Sequence, residues 1–139
     1  NGAISWKSKL QECTTTSTTE AEYVAVSDAT KEALWLGRLA HTFRQVDSDS
    51  APVVYNDSQS VVALSKNPVH HNACKHIEVL YHFVRDCVIS GKIGLEKIST
   101  TDNVTDGMTK CLLSDRFWSL WHKLGIGITR LGDLGTTMK

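Results

Sequence analysis

The sequence predicts an α/β fold in which helices flank a mixed sheet. Two observations carry that expectation. Short apolar runs bounded by turn formers alternate with longer segments of helical period. The resulting order is strand, helix, strand, helix, helix, strand, helix, helix, with no internal repeat and no low-complexity segment.

The first predicted strand is AISWKSKLQEC (3–13), where Ile4, Trp6 and Leu10 alternate with polar residues as on a half-buried strand. TTTSTTE then gives a helix start: Ser17-x-x-Glu20 and Thr19-x-x-Glu22 both fit a capping box. From Ala21 to Phe43 the spacing is helical. Ala21, Val24, Leu34, Trp35, Leu39 and Phe43 are expected on one broad buried face, with Gly37 loosening the end. A loop over 47–52 leads into a buried strand from Pro52 that ends at Asp57. SQSVVALSKN follows as a short helix stopped by Pro68. Residues 69–76 read as a polar loop. Ile77 to Ser90 is a helix with Ile77, Leu80, Tyr81, Val84 and Val88 on one side, and Gly91 stands where a C-terminal cap belongs. Residues 93–98 form a strand, 99–106 a turn into a helix opened by Asp106, and 115–126 an amphipathic helix. The expected organisation is one partial domain over 1–126 and a tail over 127–139.

Composition excludes several classes. The 139 residues suit one domain, with 41% apolar and 22% charged residues. Fifteen basic residues balance fifteen acidic ones, so no strong global field draws in nucleic acid, although a local basic groove remains compatible. Cys13, Cys74, Cys87 and Cys111 have no CxxC spacing and read as free thiols of a reducing compartment. Apolar runs fall far short of the roughly 20 residues that span a bilayer. The chain is therefore expected to be intracellular, in cytoplasm or nucleus. No nucleophile elbow, phosphate loop or ordered Cys–His–acid pattern is present.

Three carboxylates stand where α/β proteins gather ligands. Glu22 lies early in a long helix, Asp57 ends an apolar strand, and Asp106 opens a helix after the last strand. Carboxylates from distant positions can hold hard cations such as magnesium, and two such ions about 4 Å apart support phosphodiester cleavage. The plain alternative is that Glu22 caps a helix and that Asp57 and Asp106 are turn or N-cap residues.

A resemblance adds to this reading. STTEAEYVAVSDATKEALWLGRL (17–39), NDSQSVVALSKNPVHH (56–71), KHIEVLYHFVRD (75–86) and, more loosely, NVTDGMTKCL (103–112) resemble the signature of copia-type retrotransposon ribonuclease H domains, in the family's order. SWKSKLQEC (5–13) fits the strand that precedes them. The resemblance covers residues 1 to about 126. It implies a ribonuclease H-like mixed sheet with flanking helices and metal-dependent cleavage of RNA in RNA–DNA hybrids during reverse transcription, within a pol polyprotein. Matched by motif, Glu22, Asp57 and Asp106 correspond to catalytic carboxylates that hold Mg²⁺ or Mn²⁺ and activate a water. Glu20 is assigned to helix capping.

The chain departs from that pattern. The family's first two strands, and the metal-binding aspartate on the first, would precede Asn1, leaving three of four carboxylates. Weakened metal binding, little or no activity and exposed sheet edges are the expected consequences. Thr14, Thr15 and Thr16 stand where the family has small apolar residues, Thr105 where it has alanine, and Cys111 where it has proline. A non-catalytic retroelement remnant, or a domesticated module that binds hybrids without cutting them, is the alternative. Start-up context discriminates: an upstream strand carrying an aspartate favours the enzyme, a nearby start codon the remnant.

Weaker candidates complete the survey. Lys75 and His76 could touch hybrid phosphates; the plain reading is a solvated lysine and a helix-capping histidine. His70, His71, Cys74 and His76 crowd one loop but provide no second ligand pair for zinc. Trp35, Trp118 and Trp121 fall on apolar helix faces and are expected in the core, with base stacking the less favoured use.

Overall fold

The computed structural model describes residues 2–11, 14–43, 50–66 and 75–126. It shows two compact units: Gln11–Thr100, and Asn1–Leu10 together with Thr101–Lys139.

The larger unit is mixed α/β. Its elements are α1 (Thr18–Thr42), β1 (Val53–Asn56), α2 (Gln59–Lys66), α3 (Lys75–Ile89) and β2 (Gly94–Lys97). β1 and β2 pair in parallel, with Val54 opposite Leu95 and Asn56 opposite Lys97. Gly94 N donates to Pro52 O and Ile98 N to Asn56 O, extending the ladder at both ends. Among the described residues the sheet holds these two strands only, so it is parallel and not the mixed sheet the sequence predicts. Val54 and Leu95 turn inward, onto Tyr23 and Val26 of α1, Val61 of α2, Val84 and Cys87 of α3, and Ile93. Parallel pairing needs a long crossover, and α2 and α3 supply it.

Local chemistry explains the boundaries. Ser17 is the N-cap of α1, with extended backbone, and its Oγ accepts from Glu20 N at 3.2 Å. The Glu20 carboxylate accepts from Thr16 N and Thr16 Oγ1, both at 2.8 Å. Of the two capping boxes readable in the sequence, the Ser17/Glu20 one forms, reaching back one residue further than usual. α3 ends at Gly91, whose φ of +66° is the left-handed conformation that glycine adopts most readily. Lys92 N then donates to Cys87 O at 2.9 Å.

The smaller unit contains α4 (Asp106–Thr109) and α5 (Ser114–Lys123). Leu120 of α5 is buried against Gly107 of α4; a β-carbon on Gly107 would lie 3.7 Å from that of Leu120.

Several sequence expectations are corrected. The predicted first strand is absent: residues 2–11 hold no strand, and Ile4, Trp6 and Leu10 are 82%, 72% and 93% exposed. Alternation makes a strand only when a neighbour accepts its backbone groups, and in this stretch Ala3 N bonds to Leu124 O instead. The buried face of α1 is also displaced. It runs through Tyr23, Val26, Ser27 and Thr30, with Ala33 and Leu34 alongside, while Trp35, Leu39 and Phe43 are exposed. Gly37 does not loosen this helix. It faces Pro52, whose ring lies 3.5 Å from where a β-carbon would stand, an ordinary contact distance. Finally, Trp35 and Trp118 are not core residues, and Trp121 is half-buried, stacked on Phe117 with ring centroids 5.2 Å apart. The loop expected over 69–76 is shorter than predicted, since Lys75 and His76 already belong to α3; its residues 69–74 and the tail from 127 lie outside the described residues.

Candidate active site

The parallel pair ends at Asn56 and Lys97, and the chain leaves β1 through a turn that fixes the next two residues. Asn56 Oδ1 accepts from Ser58 N at 2.7 Å, the Asx turn expected of an Asn-Asp-Ser sequence. Asp57 sits inside that turn, half-buried, just before α2 begins. The Asn56 side chain faces α1 as well: its Nδ2 donates to Glu22 Oε2 at 3.5 Å. Glu22 is exposed on the second turn of α1, one residue from buried Tyr23. One asparagine thus brings a helix carboxylate to the strand end that carries Asp57. Lys97 adds a cation at this edge, donating to Gln59 Oε1 at 3.2 Å.

Asp106 belongs to the smaller unit, where its surroundings are different. It is 3% exposed. Its Oδ1 meets Lys110 Nζ at 2.6 Å and its Oδ2 meets Arg116 at 3.0 Å. Among the described residues, no group of three or more His, Cys, Asp or Glu side chains is placed to hold a metal ion. Lys75 opens α3, but its side chain, that of His76, and residues 70–74 lie outside the described residues.

Of the remaining reactive groups, the Cys87 thiol is buried and pushed up by that burial, which keeps it in the inert protonated form. Tyr23 packs on Tyr81 with ring centroids 4.0 Å apart. Burial, then the neighbouring Tyr81, pushes the Tyr23 phenol up to about 12, with Arg85 opposing. Both belong to the core beneath the site.

Sequence reasoning named Glu22 and Asp57 and missed Asn56, Gln59 and Lys97. Asn56 and Gln59 flank Asp57 inside the NDSQ string, so chain proximity could have flagged them. Lys97 becomes adjacent only through the strand register.

This geometry defines a small α/β unit with acidic side chains at the C-terminal edge of a parallel strand pair, where such folds commonly bind ligands. Its relatives are polyproteins of mobile elements. The chain is 45% identical over 116 residues to the retrovirus-related Pol polyprotein from transposon TNT 1-94 of Nicotiana tabacum, covering 84% of this chain and 9% of that protein. It is 37% identical over 123 residues to each of the retrovirus-related Pol polyproteins from transposons RE2 and RE1 of Arabidopsis thaliana, covering 88% of this chain and 8% of each. The chain spans less than a tenth of the length of these relatives and is homologous to one retrotransposon pol-derived region within them. No protein-family profile matches it. No solved structure matches it either.

Proposed function

We propose that this pol-derived region is a ribonuclease H-type module acting on the RNA strand of RNA–DNA hybrids during reverse transcription. The observation that carries the reading is the contact of Glu22 with Asn56, which brings a helix carboxylate to the strand end bearing Asp57. Glu22 is exposed and Asp57 half-buried, and an all-oxygen set suits a hard divalent cation. Glu22 and Asp57 would hold Mg²⁺ or Mn²⁺, which when bound supplies a Lewis acid at the scissile phosphate. Asn56 orients Glu22, and the Asx turn fixes the backbone at Asp57. Lys97 offers its ammonium to a neighbouring phosphate. Asp106 fits this set less well, because both its oxygens already meet side-chain cations. With Asp106 so engaged, Glu22 and Asp57 leave few oxygen ligands, and the chain by itself is expected to bind metal weakly and cut slowly or not at all.

A non-catalytic remnant or hybrid-binding module is the second reading. It is favoured by the absence of a three-ligand acidic group among the described residues.

The test is calorimetric titration of Mn²⁺ into the purified chain, with a hybrid-cleavage assay alongside. Asp57→Asn and Glu22→Gln are each expected to weaken Mn²⁺ binding about tenfold or more. If neither substitution changes Mn²⁺ binding, the metal reading fails. Hybrid binding without Mn²⁺ binding would then favour the second reading.

A further inference from the structure

Asp106 is matched by motif to a metal-binding carboxylate, yet its surroundings in this chain are those of a structural anion. A carboxylate that takes up a divalent cation needs an oxygen facing open space. Asp106 is 3% exposed, and each oxygen meets a different cation: Lys110 at 2.6 Å from the following turn, and Arg116 at 3.0 Å from α5. Its backbone is engaged too. Asp106 N donates to Asn103 O, and Asp106 O accepts from Lys110 N at 3.0 Å. A four-residue helix has little cohesion of its own, since forming one turn fixes several residues for a single hydrogen bond. α4 is therefore held from outside, at two adjacent points. Gly107 packs on Leu120, and Asp106 pairs with Arg116 one helical turn earlier on the same helix.

We infer that Asp106 is the anion that fastens α4 to α5, a positioning residue and not a ligand for the divalent cation. The contrast with metal binding rests on the function proposed above; the anchoring role stands without it. The arrangement is asymmetric. The carboxylate is buried, whereas Arg116 and Lys110 are 42% and 53% exposed. Removing the anion leaves two cations that are already partly solvated. Removing Arg116 leaves a buried charge with one partner, the more damaging change.

A double-mutant cycle on the intact chain tests this. Asp106→Asn, Arg116→Met and their combination are compared by thermal unfolding, followed by circular dichroism. Asp106→Asn is expected to lower Tm by about 5 °C, and Arg116→Met by more. The double change is expected to lower it by clearly less than the two together, because both remove one interaction. Mn²⁺ titration of Asp106→Asn is expected to match the native chain within about twofold. Lys110→Met, which keeps the carboxylate, serves where Asp106→Asn does not fold, and is also expected to lower Tm.

Tm values unchanged within about 1 °C, or additive shifts, overturn the anchor. A loss of Mn²⁺ affinity of about tenfold in Asp106→Asn overturns it as well, by making Asp106 a ligand. A native chain that binds no Mn²⁺ defeats the proposed function, while the cycle still decides the anchor.

Discussion

Glu20 and Glu22 are two positions apart in the sequence, and their side chains have opposite surroundings. Glu20 is buried and closes the helix cap with Thr16. Glu22 is exposed and reaches Asn56, 34 positions along the chain. Glu20→Ala is expected to destabilise the protein by about 1 kcal/mol, the usual range for a lost cap, with Glu22→Gln within about 0.5 kcal/mol; urea unfolding checks both. Thr16 also gains a role: its hydroxyl completes this cap. At Tyr23 the expectation concerns pH. Its folded pKa, about 12, lies above the unfolded value of about 10. The folded state therefore holds the proton more tightly. Its contribution to stability is fully present below pH 10 and is lost as pH rises through 12. Burial also raises Tyr81, so it acts in the same direction. Tyr23→Phe is expected to flatten the fall in denaturant midpoint between pH 10 and 12. At neutral pH it should be tolerated, since the buried Tyr23 hydroxyl has no hydrogen-bond partner among the described residues.

Among the elements, helix existence and helix ends were legible in sequence, and the buried face of α1 was not. α2, α3 and α5 fall within three residues of the expected bounds, because caps, turns and periodicity act over a few residues. Gly91→Ala isolates one such signal. Nothing lies within 4 Å of the added β-carbon, so only the left-handed backbone is penalised. A loss of about 1 kcal/mol is expected in chemical denaturation. α1 was misread because its core face carries the hydroxyls of Ser27 and Thr30, while large apolar residues occupy its exposed C-terminal half. Hydrophobic periodicity identifies the more apolar side, and here docking on α3 and β1 selects another. Trp35→Gln is accordingly expected to change stability by less than about 0.5 kcal/mol, and Val26→Ala to cost more than 1 kcal/mol, in the same denaturation measurement.

For the whole molecule, equal numbers of acidic and basic residues leave no long-range steering toward nucleic acid. Binding of an RNA–DNA hybrid at physiological salt without divalent cation is expected to be weaker than about 1 μM, as fluorescence anisotropy would read it. The described residues form no helix long and apolar enough to cross a membrane. The sequence by itself determined the α/β class, the order of all elements after the first predicted strand, the Ser17/Glu20 cap, the Gly91 stop and the likeness to a pol-derived region. Each of these is encoded in short-range pattern or in motif order. Only the tertiary structure decided that residues 2–11 form no strand, which face of α1 is buried, that Asn56 links Glu22 to the end of β1, and that Asp106 meets Arg116. Those outcomes depend on partners brought together from distant positions, where packing and charge pairing override the local pattern.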